Sequence, residues 1–319
     1  MRDQMERHQS WIYLAFILAG LATGIALPDT ASRLEAGLWP LLGVLLYATF
    51  TQVPLTHLGQ GLRDWRFLAA LVLGNFVITP LLLGALVALL PLSPAVQAGV
   101  LLVLLVPCTD WFISFTHLGK GDAGRAIAAT PVLLLLQMLM LPVYLWVFLG
   151  GSWFQALISR QLVSACVGLI LVPLTLAWST EYFAERRVAA KRWVSGMGLL
   201  PVPLLALVVF VIAASQVKTV AGLTGVLGSV ALVFIAYLVY AALLGKALSR
   251  LFRLPVLSAR TLTFSFGTRN SFVVLPIALT LPEAWQGAVV VIVFQSLVEL
   301  FGMAVYLTWI PGQWLPDHR

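Results

Sequence analysis

Apolar segments recur along almost the whole of this 319-residue chain, and they constrain its fold more than any other feature. Each is roughly 17 to 25 residues long, the length with which an α-helix crosses a bilayer, and is bounded by charges or by Pro and Gly turns. Because 61% of the residues are hydrophobic and 10% are charged, a soluble domain would have too much apolar surface to bury. The sequence therefore predicts ten membrane spans, at 11–27, 38–58, 67–90, 96–117, 124–150, 159–179, 194–214, 222–247, 261–281 and 286–310.

Lysine and arginine are distributed unequally between the two sides that these spans define. With a cytoplasmic N-terminus, 15 of them lie inside, and Arg33, Arg160 and Lys218 lie outside, while Arg269 falls within the ninth span. Because positive residues accumulate on the cytoplasmic side, we expect a multi-pass protein of the cell or inner membrane with both termini in the cytoplasm. The net charge of +7 then belongs to a basic face against lipid headgroups, and nucleic-acid binding is not expected.

Ten spans give two halves of five, at 11–150 and 159–310, within one transporter domain that covers 1–319. Since five is odd, similar halves would have opposite orientations in the membrane. The sequence contains weak traces of such a repeat: Gln137 precedes Tyr144 in the fifth span, and Gln295 precedes Tyr306 in the tenth. The predicted fold is thus an all-α membrane protein of two inverted five-helix repeats.

The fourth span is interrupted by Pro107, Cys108, Thr109 and Asp110. Proline removes a helical hydrogen bond, and the next three residues place a thiol, a hydroxyl and a carboxyl at membrane depth. The ninth span is interrupted at 267–270, beginning with Gly267, and contains Pro276 further on. Matched interruptions in corresponding spans of two halves indicate a transporter's substrate site, where the two broken helices cross.

Cys108 has two interpretations. A free cysteine is usually a small buried hydrophobic residue, and Cys166, on an unbroken span, fits that description. Directly after a helix-breaking proline, however, the thiol of Cys108 would face a polar cavity, where it suits a soft, thiophilic solute. Two cysteines within spans offer neither a disulfide framework nor a multi-cysteine metal site, and no cofactor is expected.

Asp110, Ser114 and His117 form one polar stripe along the second half of the fourth span. Thr109 or Asp110 could simply cap the half-helix after the break, with His117 at the membrane surface. A carboxyl at this depth also calls for a proton or a partner, and Arg269 is the obvious candidate. We therefore predict an Asp110–Arg269 ion pair where the broken spans cross, with Asn270 beside it in the substrate site.

Glu299 lies in the tenth span, on the same helix face as Gln295, Gly302 and Tyr306. Gln295 and Tyr306 are typical of residues that join helices by hydrogen bonds, and the same role is predicted for Gln137. A glutamate at this depth indicates a coupling role. In the third span, Asn75 with Thr79 and Pro80 indicates a kink.

These motifs resemble those of the arsenite permease (arsenical resistance) family, within the bile acid/arsenite/riboflavin transporter superfamily. The residues that carry the resemblance are Pro107-Cys108-Thr109, the following loop 118–122 and the tenth-span Glu299. The resemblance implies ten spans in two inverted repeats with crossing fourth and ninth spans, and proton-driven extrusion of arsenite and often antimonite. It also implies that Cys108 contacts the metalloid and that Glu299 relays protons.

The sequence departs from this family at several positions. The family's Ala-Met after Pro-Cys-Thr is replaced by Asp110-Trp111, and its ninth-span Asn-Asn-Phe-Glu by residues 270–273, which lack the acid. Compared with the sodium/bile acid branch, the ninth-span sodium ligands are replaced by Ser265 and Arg269, and a Ser-Asn pair of the fourth span is replaced by Phe-Ile at 112–113. A fixed guanidinium at a cation site argues against sodium coupling.

The leading interpretation is a proton-coupled antiporter that exports trivalent arsenic by alternating access, in which a core of spans three to five and eight to ten moves against the others. The alternative is an organic-anion carrier of the same fold, with Arg269 binding the carboxylate. A membrane sensor or scaffold would not need ionisable residues in two broken spans. An enzyme is not indicated, since no nucleophile–base pair, His/carboxylate metal spacing or phosphate loop is evident.

Overall fold

The computed structural model describes residues 2–53, 64–89, 92–149, 167–184 and 186–317. Within these ranges every regular element is helical, as expected for backbone that must satisfy its own hydrogen bonds in a membrane. π-Helical segments occur at Gly74–Ile78, Val167–Leu171 and Ile310–Trp314, and a 3-10 turn at Glu283–Trp285. The α-helices are α1 (Arg2–Ala26), α2 (Pro28–Glu35), α3 (Leu38–Phe50), α4 (Trp65–Leu73), α5 (Thr79–Leu89), α6 (Pro94–Leu105), α7 (Trp111–Leu118), α8 (Ala123–Leu149), α9 (Val172–Ala184), α10 (Val188–Met197), α11 (Pro201–Ser215), α12 (Val217–Leu251), α13 (Val256–Gly267), α14 (Ser271–Leu279) and α15 (Gly287–Trp309).

Among the described residues, five helical stretches are long and apolar enough to cross a membrane by their length and composition. They are His8–Ala26, Trp65–Leu89, Ala123–Phe148, Val217–Leu251 and Glu283–Trp314. The bent pair Ala189–Met197 and Pro201–Ser215, which meets at 41°, makes a sixth when it is taken as one span.

The structure does not confirm the predicted number of ten spans. The predicted fourth and ninth spans are divided into helices of at most 12 residues, which are about 18 Å long or less and too short to cross a bilayer alone. The predicted second span is the shorter apolar helix α3. Much of the predicted sixth span, with Arg160 and Cys166, lies outside the described residues.

The helices pack in two groups. In the first group α1 lies along α11, and α3 contacts both α9 and α11. In the second, α6 packs against α15, and α12 against α13 and α15. Gly20 and Gly24 let α1 approach α11 closely, because a β-carbon at either position would overlap a backbone carbonyl of α11, that of Phe210 or Ala214.

Replacing Gly20 by leucine should separate α1 from α11 and lower the free energy of unfolding by about 1–3 kcal/mol, the usual cost of overpacking. Thermal unfolding of the purified protein in detergent measures this change. Gly225→Leu on α12 is the matched control, because nothing lies within 4 Å of a β-carbon there. Equal melting temperatures for the two variants would contradict the close packing of α1 on α11.

Candidate functional site

The two interrupted helix pairs meet through their backbones. Val106 and Thr268, which follow the ends of α6 and α13, are both extended. The Cys108 N–H donates to the Thr268 carbonyl at 3.1 Å, and the Asn270 N–H donates to the Val106 carbonyl at 2.8 Å. This short antiparallel bridge, which pairs Pro107 with Arg269, satisfies buried backbone groups that the breaks would otherwise leave without partners. In the structure α6 ends at Leu105 and α13 at Gly267, and the broken pairs are joined where they are interrupted.

Pro276 does not break a helix, contrary to the prediction. It lies inside α14, which continues from Ser271 to Leu279. The interruption is already complete at Asn270, whose side-chain oxygen accepts the Val273 N–H at 3.2 Å and caps α14. Pro276 therefore lies in a helix whose start is set five residues earlier, and Asn270 has a structural role in addition to the predicted place in the site.

Cys108 is fully buried at the crossing. Its sulfur lies near the backbone N–H groups of Asp110 and Trp111 and near the carboxyl groups of Glu299 and Asp110. The thiol thus lies at the N-terminal end of α7 amid polar groups, which differs from the apolar surroundings of an ordinary structural cysteine. No group of three or more His, Cys, Asp or Glu side chains that could hold a metal ion occurs in the described ranges.

Several buried oxygen atoms around the crossing lack a hydrogen-bond partner among the described residues. They are Thr109 Oγ1, Glu299 Oε1 and Gln295 Oε1. Buried polar atoms are almost always paired in folded proteins, so each of these exceptions calls for an explanation. A polar solute that donates hydrogen bonds would supply the missing partners.

Glu299 joins the tenth-span helix to the interrupted ninth span. The carboxylate is 1% exposed, and its Oε2 accepts the backbone N–H of Arg269 at 2.9 Å and the side-chain amide of Gln295 at 2.7 Å. The predicted polar face on α15 is thus divided between two tasks. Gln295 and Glu299 face the crossing, whereas the Tyr306 hydroxyl donates to the Leu238 carbonyl on α12 and Gly302 packs on the Leu238 side chain.

Arg269 is also buried, and its guanidinium is held by backbone carbonyls at the ends of two half-helices. Nη1 donates to the Leu104 carbonyl at 3.2 Å, and Nη2 donates to the Phe266 carbonyl at 2.6 Å. These carbonyls belong to the last turns of α6 and α13, where helix dipoles favour a cation. The guanidinium carbon also lies 5.1 Å from the centre of the Tyr237 ring.

The predicted Asp110–Arg269 ion pair stays a prediction, because the contacts that the structure gives for Arg269 are to other groups. The bridge sets Arg269 opposite Pro107, three residues before Asp110, and the carbonyls of α6 and α13 take up its donors. The acid that contacts Arg269 is Glu299, through the backbone.

Asp110 instead faces the other helix group. It begins α7 without a side-chain capping hydrogen bond, so the capping alternative is not supported for this residue. With Met5, Gln9 and Trp111 it lines a narrow cleft at the ends of α1 and α11. The Trp111 ring lies 6.4 Å from that of Tyr13 on α1 and 5.4 Å from that of Phe272 on α14, measured between centroids. Trp111 therefore joins the crossing to α1.

The polar stripe on α7 extends from the crossing to the protein surface. Ser114 is half-buried, and His117 is exposed in the last turn of α7. This arrangement agrees with the alternative that placed His117 at the membrane surface. The stripe therefore contributes Asp110 to the interior and leaves His117 outside the candidate site.

Asn75 is a site residue that sequence reasoning assigned only to a kink. It lies in the π-helical segment between α4 and α5, a feature common at functional sites. Its side-chain oxygen accepts from Arg269 Nη2 at 3.1 Å, and its amide donates to Ser265 Oγ at 3.1 Å. The sequence signal for Asn75 was its position in an apolar span, close to Thr79 and Pro80.

Gln137 does not act as the predicted hydrogen-bonding link between helices. Its side chain is 2% exposed, and neither its oxygen nor its nitrogen has a partner among the described residues. Its counterpart Gln295 bonds only through its amide nitrogen, to Glu299. The two glutamines of the predicted halves thus both carry unused buried hydrogen-bonding capacity.

Comparison with known proteins gives one family match. A family model described as Sodium Bile acid symporter family matches residues 39–223, which is more than half of the chain. The matched part contains Cys108 and the interrupted helices α6 and α7, whereas Arg269 and Glu299 lie beyond it. No curated protein matches the chain at a significant level.

Proposed function

We propose that this chain, which belongs to the sodium bile acid symporter family, exports trivalent arsenic. Membership of that family makes it an integral multi-pass membrane protein and a secondary transporter, not an enzyme. The substrate is arsenite, and antimonite by the same chemistry, and export is coupled to protons by alternating access. The protein would thus act in arsenical resistance as an antiporter of the inner membrane. Its partners are the small inorganic substrate, protons and the lipid bilayer.

One observation carries this proposal: the fully buried Cys108 lies at the junction of the broken helices, beside buried oxygens that lack partners. Trivalent arsenic prefers sulfur ligands, and its hydroxyl groups are hydrogen-bond donors. Thr109 Oγ1 and Glu299 Oε1 are acceptors that such hydroxyls would satisfy. A single thiol forms one arsenic–sulfur bond, with its proton and one arsenite hydroxyl leaving as water, so the solute is held weakly and reversibly, as transport requires.

Protons are the proposed coupling ion. Arg269 already places a permanent positive charge against the C-terminal carbonyls of α6 and α13, where a sodium ion would otherwise be favoured. Glu299 is a buried carboxyl beside the substrate site, and intramembrane carboxyls of this kind relay protons in transporters. Asp110, in the cleft toward α1 and α11, is the second acid that we assign to proton coupling.

Two features support inverted repeats and a moving core. The Tyr144 hydroxyl of the fifth span donates to the Phe76 carbonyl of the third at 2.6 Å, and the Tyr306 hydroxyl of the tenth donates to the Leu238 carbonyl of the eighth. These are corresponding contacts in the two predicted halves. The packing of α1, α3, α9 and α11 mainly on one another supports their role as the panel against which the core moves.

The organic-anion alternative is less well supported by the same geometry. Arg269 is 1% exposed, and its guanidinium donates to Leu104, Phe266 and Asn75. Its Nε lacks a partner among the described residues and can donate to a carboxylate, but a bidentate contact would also have to displace an acceptor that belongs to the protein. Each broken hydrogen bond to a charged group would cost about 1.5–3 kcal/mol.

Arsenite accumulation in everted membrane vesicles, with and without a pH gradient, tests the proposal. We expect the gradient to drive accumulation in the wild type and Cys108→Ser to reduce it to near background, because a hydroxyl is a poor ligand for a soft metalloid. Cys166→Ser, at the other cysteine of the sequence, is the matched control and should transport normally.

Two outcomes would refute the assignment. One is unchanged accumulation in Cys108→Ser. The other is that expression in an arsenite-sensitive host confers no tolerance while carboxylate uptake rises, which would favour the organic-anion carrier.

A further inference from the structure

A cavity of about 310 Å³ lies apart from the residues of the candidate site. It forms where the end of α12, the loop before α13 and the segment after α15 meet. Cys108, Arg269 and Glu299 are not among its lining residues, so the proposed transport site does not account for it.

The charged side chains of this cavity are all positive. Lys246, Arg250 and Arg253 line it, and no carboxylate is among the lining residues within the described part of the chain, which ends at residue 317. The nearest acid along the lining segment, Asp317, lies 2.9 Å from Arg260 Nη2 and is paired with that buried arginine. Three cations around one cavity without a lining acid favour an anion.

The cationic groups are positioned by the protein. Lys246 Nζ donates to the Trp314 carbonyl at 3.1 Å and lies 3.9 Å from the centre of the Trp314 ring. The Trp314 indole is fixed in turn by donating to the Ala242 carbonyl at 3.0 Å. Arg253 adopts a left-handed backbone conformation, φ 53°, which turns the chain from α12 toward α13 around the cavity.

The cavity is amphipathic. Leu254, Trp314 and Leu315 supply an apolar wall, and Leu251 and Leu257 beside it are 70% and 47% exposed. The first turn of α13 also borders the cavity, at Val256, and its free backbone N–H groups add to the attraction for an anion. Apolar and cationic surfaces side by side suit a phosphate group that is joined to an apolar body.

We propose that this cavity binds a phosphate ester through Lys246, Arg250 and Arg253. The phosphate belongs either to the headgroup of an anionic lipid or to a soluble phosphate compound, since both present the same anion. Guanidinium groups bind phosphate oxygens in bidentate fashion, and the preordered ammonium of Lys246 adds a point charge.

Binding of three probes to the purified protein in detergent tests the site: dioctanoyl phosphatidylglycerol, neutral dioctanoyl phosphatidylcholine and inorganic phosphate. We expect the double variant Arg250→Gln/Arg253→Asn to weaken phosphatidylglycerol binding about thirtyfold, from two lost charges near a membrane surface. Asparagine at 253 preserves the left-handed backbone. The control Lys191→Gln/Arg192→Gln removes two exposed charges of α10 and should change binding less than twofold.

The three probes distinguish a lipid headgroup from a soluble phosphate compound. Binding of phosphatidylglycerol alone indicates a lipid headgroup, whereas equal binding of inorganic phosphate indicates a soluble phosphate compound. Absence of binding by both anionic probes, binding of phosphatidylcholine as tight as that of phosphatidylglycerol, or equal weakening in the two double variants would overturn the proposal. Because Arg250 and Arg253 are exposed, the double variant should have the melting temperature of the wild type. Lys246→Gln, which removes the third positive charge of the cavity, provides a further independent test of phosphate binding. Arsenite transport is not needed for any of these readings, so the result stands apart from the proposed function.

Discussion

Arg269→Leu should lower the free energy of unfolding by about 3–5 kcal/mol and abolish transport. Leucine would leave the Leu104 and Phe266 carbonyls and the Asn75 side-chain oxygen buried without this donor. Those acceptors come from three separate elements, so the loss would loosen the π-helical segment Gly74–Ile78, α6 and α13 together. Thermal unfolding in detergent and arsenite accumulation in everted vesicles measure the two effects.

Arg269→Lys is the informative companion variant. It retains the charge but replaces a planar fork with one ammonium, which cannot reach all three acceptors, so we expect an intermediate melting temperature. Arg192→Leu removes an exposed arginine of α10 and should change the free energy of unfolding by no more than about 0.5 kcal/mol. If Arg269→Leu melted like Arg192→Leu, the guanidinium would not be a structural element of the crossing.

Glu299→Gln should separate proton coupling from folding. The glutamine oxygen can still accept from the Arg269 N–H and from Gln295, so stability should change by less than about 1.5 kcal/mol. Glutamine cannot release a proton, and we expect accumulation driven by the pH gradient to fall to background. Arsenite binding, measured separately on the purified protein, should be weakened but not lost, because the amide nitrogen that replaces Oε1 cannot accept from an arsenite hydroxyl while Cys108 and Thr109 remain.

A Glu299→Gln protein that still responds fully to the pH gradient would show that this carboxyl carries no proton. Gln295→Leu is a suitable control, because it removes a hydrogen bond to the carboxylate and leaves the titratable group in place. Gradient-driven accumulation should therefore survive in Gln295→Leu at a reduced level. A loss equal in both variants would point to a shared structural defect.

Local chemistry was sufficient to identify the interrupted helices. Pro107 removes a helical hydrogen bond and is followed by three polar residues, and Gly267 with the polar residues that follow interrupts an apolar run, so both breaks were evident before any tertiary contact was known. Cys108 and Glu299 were recognisable for a similar reason: a thiol beside a break and a carboxyl in an apolar span are unusual in themselves. Pro276 was misassigned because a proline within a helix does not always end it.

The partners of these residues were not predictable in the same way. Arg269 was expected to pair with Asp110, yet its donors go to Leu104 and Asn75, which are 165 and 194 positions away. Sequence spacing indicates which helix face a residue occupies, but it does not indicate which elements oppose that face. Backbone carbonyls compete as acceptors with every acidic side chain, and they are invisible in a residue pattern.

The sequence by itself therefore determined that this chain is a membrane protein with two interrupted helices and a thiol at one interruption, because hydropathy and helix breaking are local properties. Only the tertiary structure decided that the two breaks join as a backbone bridge, that Glu299 contacts the Arg269 backbone, and that Asp110 faces α1 and α11. These outcomes depend on the register between helices far apart in the chain, which is set by packing and by the need to pair every buried polar group.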